Sequence, residues 1–572
     1  MHEHSSAHDP FPRAPEPGRA SPAATITVVS EPIPKQPRLK RQVLDEAHVG
    51  DIEGALGRIR LTAERPRTYR QRLLALLAIV GPGIIVMVGD NDAGGVATYS
   101  QAGQNYGTSL LWVLLLLIPV LIVNQEMVVR LGAVTGVGHG KMIFERFGRF
   151  WGFFSVGDLF ILNFLTLVTE FIGVGLALQH LGVSPYISVP IAAGILIAAT
   201  ATGSFARWER IMFVFIAANF LIIPLVFLTH PHWGPVVHDT LVPGVQGGLT
   251  GDGVLLIIAI VGTTVAPWQL FFQQSNIVDK RITPRWIAYE RLDTVVGSLI
   301  TVLGAAAIVV TCAFAFGGTA DFGKFSDAGA TATALASRVG GAAGAMYAIV
   351  LLNASLIGAA AVTLATSYAF GDTFGIRHSL HWGVEQARGF YASFFGLVVL
   401  AAGIVLIPRA PLGLITTAVQ ALAGVLLPSA SVFLLLLCND RAVLGPWVNA
   451  HWLNAIAVVI ISLLLMLSGI LTVTTVFPSI NAALLTGVFS AVLVITLVGF
   501  GITWLVRRPP QRVDGAQQRR ERERWTMPPL ALLDRPAWSP MRSVAVGGLW
   551  VYLVVAVLLL LVKSIELATG HG

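Results

Sequence analysis

Apolar stretches long enough to cross a bilayer, roughly 20 residues each, recur along the chain. They fall at 73–103, 108–127, 152–178, 186–203, 211–229, 253–276, 292–316, 342–370, 391–408, 412–437, 449–474, 481–506 and 543–562. Inside a bilayer every backbone polar group must find a partner within the protein, and a helix provides this by itself. The pattern therefore predicts an all-α integral membrane protein of about 12–13 transmembrane helices. Segment 1–72 is polar, basic and rich in Pro, Ser and His, which predicts a disordered tail. It holds no apolar run of the kind a cleavable signal needs. Segment 507–542 (RRPPQRVDGAQQRRERER…) predicts a solvated basic linker, and 543–572 a last helix beyond it.

Composition points the same way. Of 572 residues 55% are hydrophobic and only 12% charged, against about 25% charged in soluble domains. No soluble core could hide that much apolar surface, so a water-soluble enzyme, a coiled coil and a disordered chain are excluded. The two cysteines, Cys312 and Cys438, lie in apolar runs and make no disulfide framework. No HExxH, GxSxG or P-loop motif occurs, so no enzymatic activity is expected.

The net charge of +7 would suit nucleic acid if it were clustered, but it alternates between loops. With a cytoplasmic N-terminus, 34 of the 38 Lys and Arg fall on the inside, and only Lys324, Arg338, Arg409 and Lys563 fall outside. Short cytoplasmic loops of membrane proteins carry this excess. The charge thus predicts orientation in a cell membrane and attraction to anionic headgroups, with no nucleic-acid partner.

Two spans are interrupted. The first carries Gly81-Pro82-Gly83 and then Asp90-Asn91-Asp92-Ala93-Gly94-Gly95, two carboxylates and two glycines at mid-span. A carboxylate at that depth costs at least about 2.5 kcal/mol. Such a break persists only where it is buried in protein or lines a wet cavity. The sixth span, IIAIVGTTVAPWQLFFQQS, is broken at Pro267, which lacks an amide hydrogen. Five spans separate the two starts, so a second repeat beginning at span six runs inverted to the first. Paired breaks in inverted halves mark the substrate site of secondary transporters. The expected core covers 73–440, with repeats at about 73–229 and 253–437 and two further helices in 441–506. Asp92 beside unwound backbone suits a cation, and carboxylates with carbonyls suit hard ions. As a structural alternative, Asp92 caps the second half-helix.

These residues resemble the NRAMP metal-ion transporters. GPG…DAGGVATYSQAG resembles their first-helix Asp-Pro-Gly-Asn motif, and GTTVAPWQLFFQQS their sixth-helix motif, usually Gly-Ala-Thr-Val-Met-Pro-His-Asn. RLGAVTG at 130–136, TEFIG at 169–173 and VQALAGVLLPSASVFLLLLCNDRAVLG at 419–445 agree in order. The resemblance implies a LeuT-like fold of inverted five-helix repeats, with broken helices 1 and 6 holding the metal. It places the family's metal-binding aspartate on Asp92 and its asparagine ligand on Gly95. Its methionine ligand falls on Ala266, its carbonyl ligands on Gly89 and Thr263, and its tenth-helix glutamine on Gln420. The histidine after the proline becomes Trp268, the next asparagine Gln269, and the third-helix glutamate Glu170.

The departures point one way. A thioether helps select soft metals, and its loss leaves oxygen donors. Gly95 and Ala266 are smaller than the residues they replace, so a wider cavity for a partly hydrated ion is expected. Mg²⁺ keeps several waters. The resemblance is strongest to the NRAMP-related magnesium transporters, which implies Mg²⁺, and also Mn²⁺, as transported substrate, with no cofactor. Trp268, and Leu167 where many members carry an acid, hold no protons, which predicts uncoupled uptake; Asp90, Glu170 and Trp268 are the candidate vestibule or proton-path residues. The alternative is a proton-coupled Mn²⁺/Fe²⁺ symporter. An amino-acid carrier of this fold ranks lower, because Asp92 would repel a substrate carboxylate.

Overall fold

The computed structural model describes residues 48–63, 66–408, 412–477, 480–506, 521–522, 525, 527–533, 542–543 and 545–554. Two strands, β1 (Ile52–Gly54) and β2 (Gly57–Ile59), pair antiparallel as a hairpin, with Ile52 opposite Ile59. Helices α1 (Tyr69–Ile79), α2 (Pro82–Val88) and α3 (Ala93–Tyr106) follow. Then come α4 (Leu111–Thr135), α5 (His139–Phe147), α6 (Arg149–His180), α7 (Pro185–Thr200), α8 (Phe205–Asn219), α9 (Ile222–Leu228) and α10 (Trp233–Leu241). The second half holds α11 (Gly251–Thr264), α12 (Pro267–Asp279), α13 (Ile287–Phe316), α14 (Ala328–Arg338), α15 (Gly341–Phe374), α16 (Arg388–Val405) and α17 (Leu412–Cys438). A short α18 (Arg441–Leu444), then α19 (His451–Val476) and α20 (Ala482–Val506), complete the labelled helices.

Among the described residues, nine helices are long and apolar enough to cross a membrane, or eleven if two bent pairs count as spans. The expected thirteen were more. α7, at 16 residues, is shorter than a full span, and the last expected span is described only over Ala545–Val554. The first expected span is three helices, because α1 and α2 meet at 48° across Val80 and Gly81. Gly81 has φ 153°, a conformation a side chain would strain.

α15 lies at the centre, its apolar window 89% buried. It packs along α6, α12 and α14, while α13 packs on α2, α3 and α4. The small residues Gly358, Ala359, Ala360 and Ala361 on α15 permit close approach, as in other membrane helix interfaces. α20 presents Leu484, Val488, Val492, Ile495 and Ile502 outward, a surface suited to lipid rather than water.

Two domain expectations are corrected. The tail ahead of residue 72 is not wholly disordered: residues 48–63 fold onto the bundle, with His48, Ile52, Ala55 and Ile59 buried. The Ala55 amide donates to Glu209 Oε2 at 2.5 Å, and Arg281 donates to the Asp51 carbonyl at 3.1 Å. Residues 1–47 lie outside the described residues. The basic linker is also partly packed. Arg522 Nε donates to the Pro446 carbonyl at 3.0 Å, and Trp447 Nε1 donates to the Arg522 carbonyl at 3.2 Å.

Candidate metal-transport site

Both breaks expected from the sequence are present. After α2 the chain tightens, with Asp90 N bonded to the Met87 carbonyl and Asn91 N to that of Val88, both at 3.2 Å. These are i→i+3 turns, not α-helical ones. Asp92 is then extended and caps α3; its Oδ1 accepts from Gly95 N at 2.7 Å. The helical partner of the Gly89 carbonyl would be the amide of Ala93. That amide donates instead to Glu170 Oε2 at 3.1 Å, so the Gly89 carbonyl is released.

The second break reaches the same result by another route. α11 ends at Thr264 and α12 starts at Pro267, with Val265 and Ala266 between them out of helical geometry. The helical partner of the Thr263 carbonyl would be the amide hydrogen of residue 267. Proline has none. The two carbonyls expected as ligands, Gly89 and Thr263, are therefore among those at the breaks whose α-helical partner amide is diverted or missing.

Asp92, Thr263 and Ala266 line one cavity, with Trp268, Gly262 and Thr166. Leu162, Val419 and Ala423 close its apolar side. The space open to the centre of a water is about 20 Å³, room for about one water-sized guest. The expected widening from Gly95 and Ala266 is thus not seen. Neighbouring backbone and side chains fill the volume: Trp268 is 1% exposed, and a Cβ on Gly95 would come within 3.0 Å of the Asp90 carbonyl and 3.3 Å of the Tyr99 ring.

The other expected residues have different places. Gln269 is not at the cavity. It donates to Asp90 Oδ1 and, at 3.3 Å, to the Thr264 carbonyl, and it accepts from Gln125 at 3.3 Å. The Asp90 carboxylate, within the first break, holds that amide. Gly95 contributes its amide to Asp92, not a ligand atom to the cavity lining. Gly89 is not on the lining either, and only its released carbonyl keeps it a candidate. The Gln420 side chain lies outside the described residues. Asp90 and Glu170 are fully buried, and Asp90 Oδ2 and Glu170 Oε1 have no partner among the described residues. Asp92 does cap α3, so the structural alternative is realised; capping through Oδ1 does not remove its charge or its place on the cavity wall.

Sequence reasoning missed Thr166 and Gly358. Thr166 sits on α6, one turn before Glu170, and adds a hydroxyl to the wall. A Cβ on Gly358 would lie 2.9 Å from both Asp92 Cβ and Glu170 Cδ, so α15 can close on the site only with glycine there. The small-residue run on α15 was the available signal.

The Nramp family, described as natural resistance-associated macrophage protein-like, matches residues 83–474. The chain belongs to the NRAMP family. Its relatives include the divalent metal cation transporter MntH of Ralstonia nicotianae, 30% identical over 405 residues, 67% of this chain and 87% of that protein. MntH 1 of Pseudomonas aeruginosa is 29% identical over 67% of this chain and 89% of its own length. The Eremococcus coleocola manganese transporter superposes with a TM-score of 0.59 at 20% identity, covering 80% of this chain and 98% of that one. That likeness shows that the two chains share a fold. As a member of this family, with relatives named as metal cation transporters, the chain is a transporter and not an enzyme.

Proposed function

We propose that this NRAMP protein carries a divalent metal cation, Mg²⁺ in preference and Mn²⁺ as well, through the cavity between its two broken helices. It does so by alternating access, into the cytoplasm of a cell whose membrane it spans with its N-terminus inside. The relatives are named for divalent metal cations and for manganese, which supports the charge class of the substrate. One observation carries the choice of ion. The cavity lining offers the Asp92 carboxylate and the Thr263 and Thr166 oxygens, and it holds no methionine or cysteine. Oxygen donors without sulfur favour hard ions.

The small cavity fits a step in which one half of each broken helix has closed on the ion; an ion with several waters enters when they part. Uptake without protons is the second part of the reading. Trp268 replaces a titratable residue beside the break, and the membrane potential supplies about 2.3 kcal/mol per charge per 100 mV. The buried acids Asp90 and Glu170 favour the rival, a proton-coupled symporter. Proteoliposome uptake of Mg²⁺, Mn²⁺, Ca²⁺ and Cd²⁺ with an internal pH dye tests both parts. Mg²⁺ and Mn²⁺ entry at constant internal pH is the expected result. Acidification in step with entry selects the symporter, and Cd²⁺ preference defeats the Mg²⁺ assignment.

A further inference from the structure

A second cavity lies elsewhere. It has a volume of about 830 Å³ and shares no lining residue with the transport cavity. It opens at the end of the bundle that carries the N-terminal hairpin. α1 contributes Arg72, the start of α13 and the turn before it contribute Arg285, Trp286 and Arg291, and Trp447 and Arg522 close it. Tyr289 adds a further ring.

The wall is strongly cationic. Glu126 contacts it but is shared by two guanidiniums, Arg130 at 3.0 Å and Arg291 at 2.5 Å. Arg285 donates to the Ala63 carbonyl at 2.5 Å, and Arg522 to that of Pro446, contacts that orient a guanidinium without neutralising it. Arg522 stacks on Trp447, 5.2 Å from the ring centroid. Burial lowers the Arg522 pKa, and Arg130 and Arg291 beside it act in the same direction, against Glu126. Arg291 Nε is buried with no partner among the described residues. A concave site with one sign of charge focuses its field and concentrates counter-ions. Guanidiniums offer paired donors that match phosphate oxygens. Basic pockets between membrane helices at the cytoplasmic face take anionic headgroups, and exposed aromatic faces take a flat ring.

We propose that this pocket is a binding site for a phosphate-bearing anion, held by Arg72, Arg285, Arg291 and Arg522 against Trp286 and Trp447. Its occupant ties the first turn of α1 to the start of α13 and to the segment at Arg522. The site is independent of which metal the protein carries.

The test uses the purified full chain in neutral detergent and follows its thermal unfolding midpoint. Three probes are titrated separately: short-chain phosphatidylglycerol, metal-free ATP and inorganic phosphate. At least one raises the midpoint of the unmodified chain. The double variant Arg285→Gln/Arg522→Gln weakens that binding about tenfold or more, since it removes two charged hydrogen-bond donors. Arg338→Gln, on α14 and away from the pocket, leaves it unchanged. Phosphatidylglycerol alone acting identifies a lipid headgroup, ATP acting more strongly than phosphate identifies a nucleotide, and equal action of the two identifies the phosphate group itself. Should the double variant fail to fold, Arg72→Gln, an exposed position, weakens binding several-fold. The proposal is overturned if no probe shifts the midpoint, or if the variants bind as the unmodified chain does.

Discussion

Asp92 does two jobs, and two substitutions separate them. Its Oδ1 caps α3 through Gly95 N, and it lines the cavity, where its carboxylate would meet the ion. Asn keeps a capping oxygen and removes the charge; Ala removes both. Asn and Asp cap comparably, whereas loss of a cap to Ala costs about 1 kcal/mol, and a buried amide left unpaired costs ~1–3 kcal/mol. Asp92→Asn should therefore unfold close to the unmodified protein, while Asp92→Ala should be less stable by a few kcal/mol. Transport should respond otherwise. Two unit charges 4 Å apart at an effective dielectric of 20 interact by about 4 kcal/mol, and a divalent ion doubles that. If stripping water from the ion offsets most of it, a residue of about 3 kcal/mol still means a loss of over a hundredfold in affinity. Both variants should then lose uptake in proteoliposomes, and calorimetric Mg²⁺ binding should vanish in both. Near-normal uptake by a stable Asp92→Asn protein would refute the charge argument. Loss of uptake only in Asp92→Ala would show that the aspartate matters as a cap alone.

Ala266→Met puts a thioether into a cavity with room for one water, so Cd²⁺ uptake should rise and Mg²⁺ uptake fall; an unchanged metal preference would undo the sulfur argument. Glu170→Ala frees the Ala93 amide to bond the Gly89 carbonyl, so metal binding should weaken several-fold, while Glu170→Gln, which keeps an acceptor oxygen, should bind nearly normally by calorimetry. Lys280→Met breaks a 2.6 Å ion pair with Glu209 in which both side chains are fully buried; stranding that carboxylate should cost ~3–5 kcal/mol, read as a lower unfolding midpoint. His378, outside the spans, is disfavoured as a cation by burial, but the Asp372 carboxylate at 3.2 Å and the Ile376 carbonyl outweigh this and raise its pKa to about 9. Its ion pair should contribute fully below about pH 6.5, its unfolded value, and be lost as pH rises through 9; the unfolding midpoint should fall across that window, and less so in His378→Gln.

What could be read from the chain was whatever local chemistry fixes. Clustered glycine, proline and aspartate at 81–95 and 262–267 made both breaks legible, although single prolines such as Pro119 and Pro428 stay inside helices; the candidate carbonyls of Gly89 and Thr263 came from the family resemblance. The apolar runs gave the helices, since a bilayer leaves the backbone no other partner. Packing was not legible, because it depends on which distant residue arrives. Gln269 stood in the right motif, yet Asp90, 179 positions away, claims its amide. The polar segment around Ala55 resembled a loose tail until Glu209, 154 positions on, accepted its amide.

The sequence by itself determined that this is a membrane bundle, where its helices break, and that two aspartates, Asp90 and Asp92, stand at the first break. Only the tertiary structure decided that Glu170 diverts the Ala93 amide, that Gly358 lets α15 close on Asp92, and that arginines from three separate segments share one pocket. The first group rests on the backbone's need for hydrogen bonds within a few residues. The second rests on contacts between segments far apart in the chain, whose geometry no local pattern encodes.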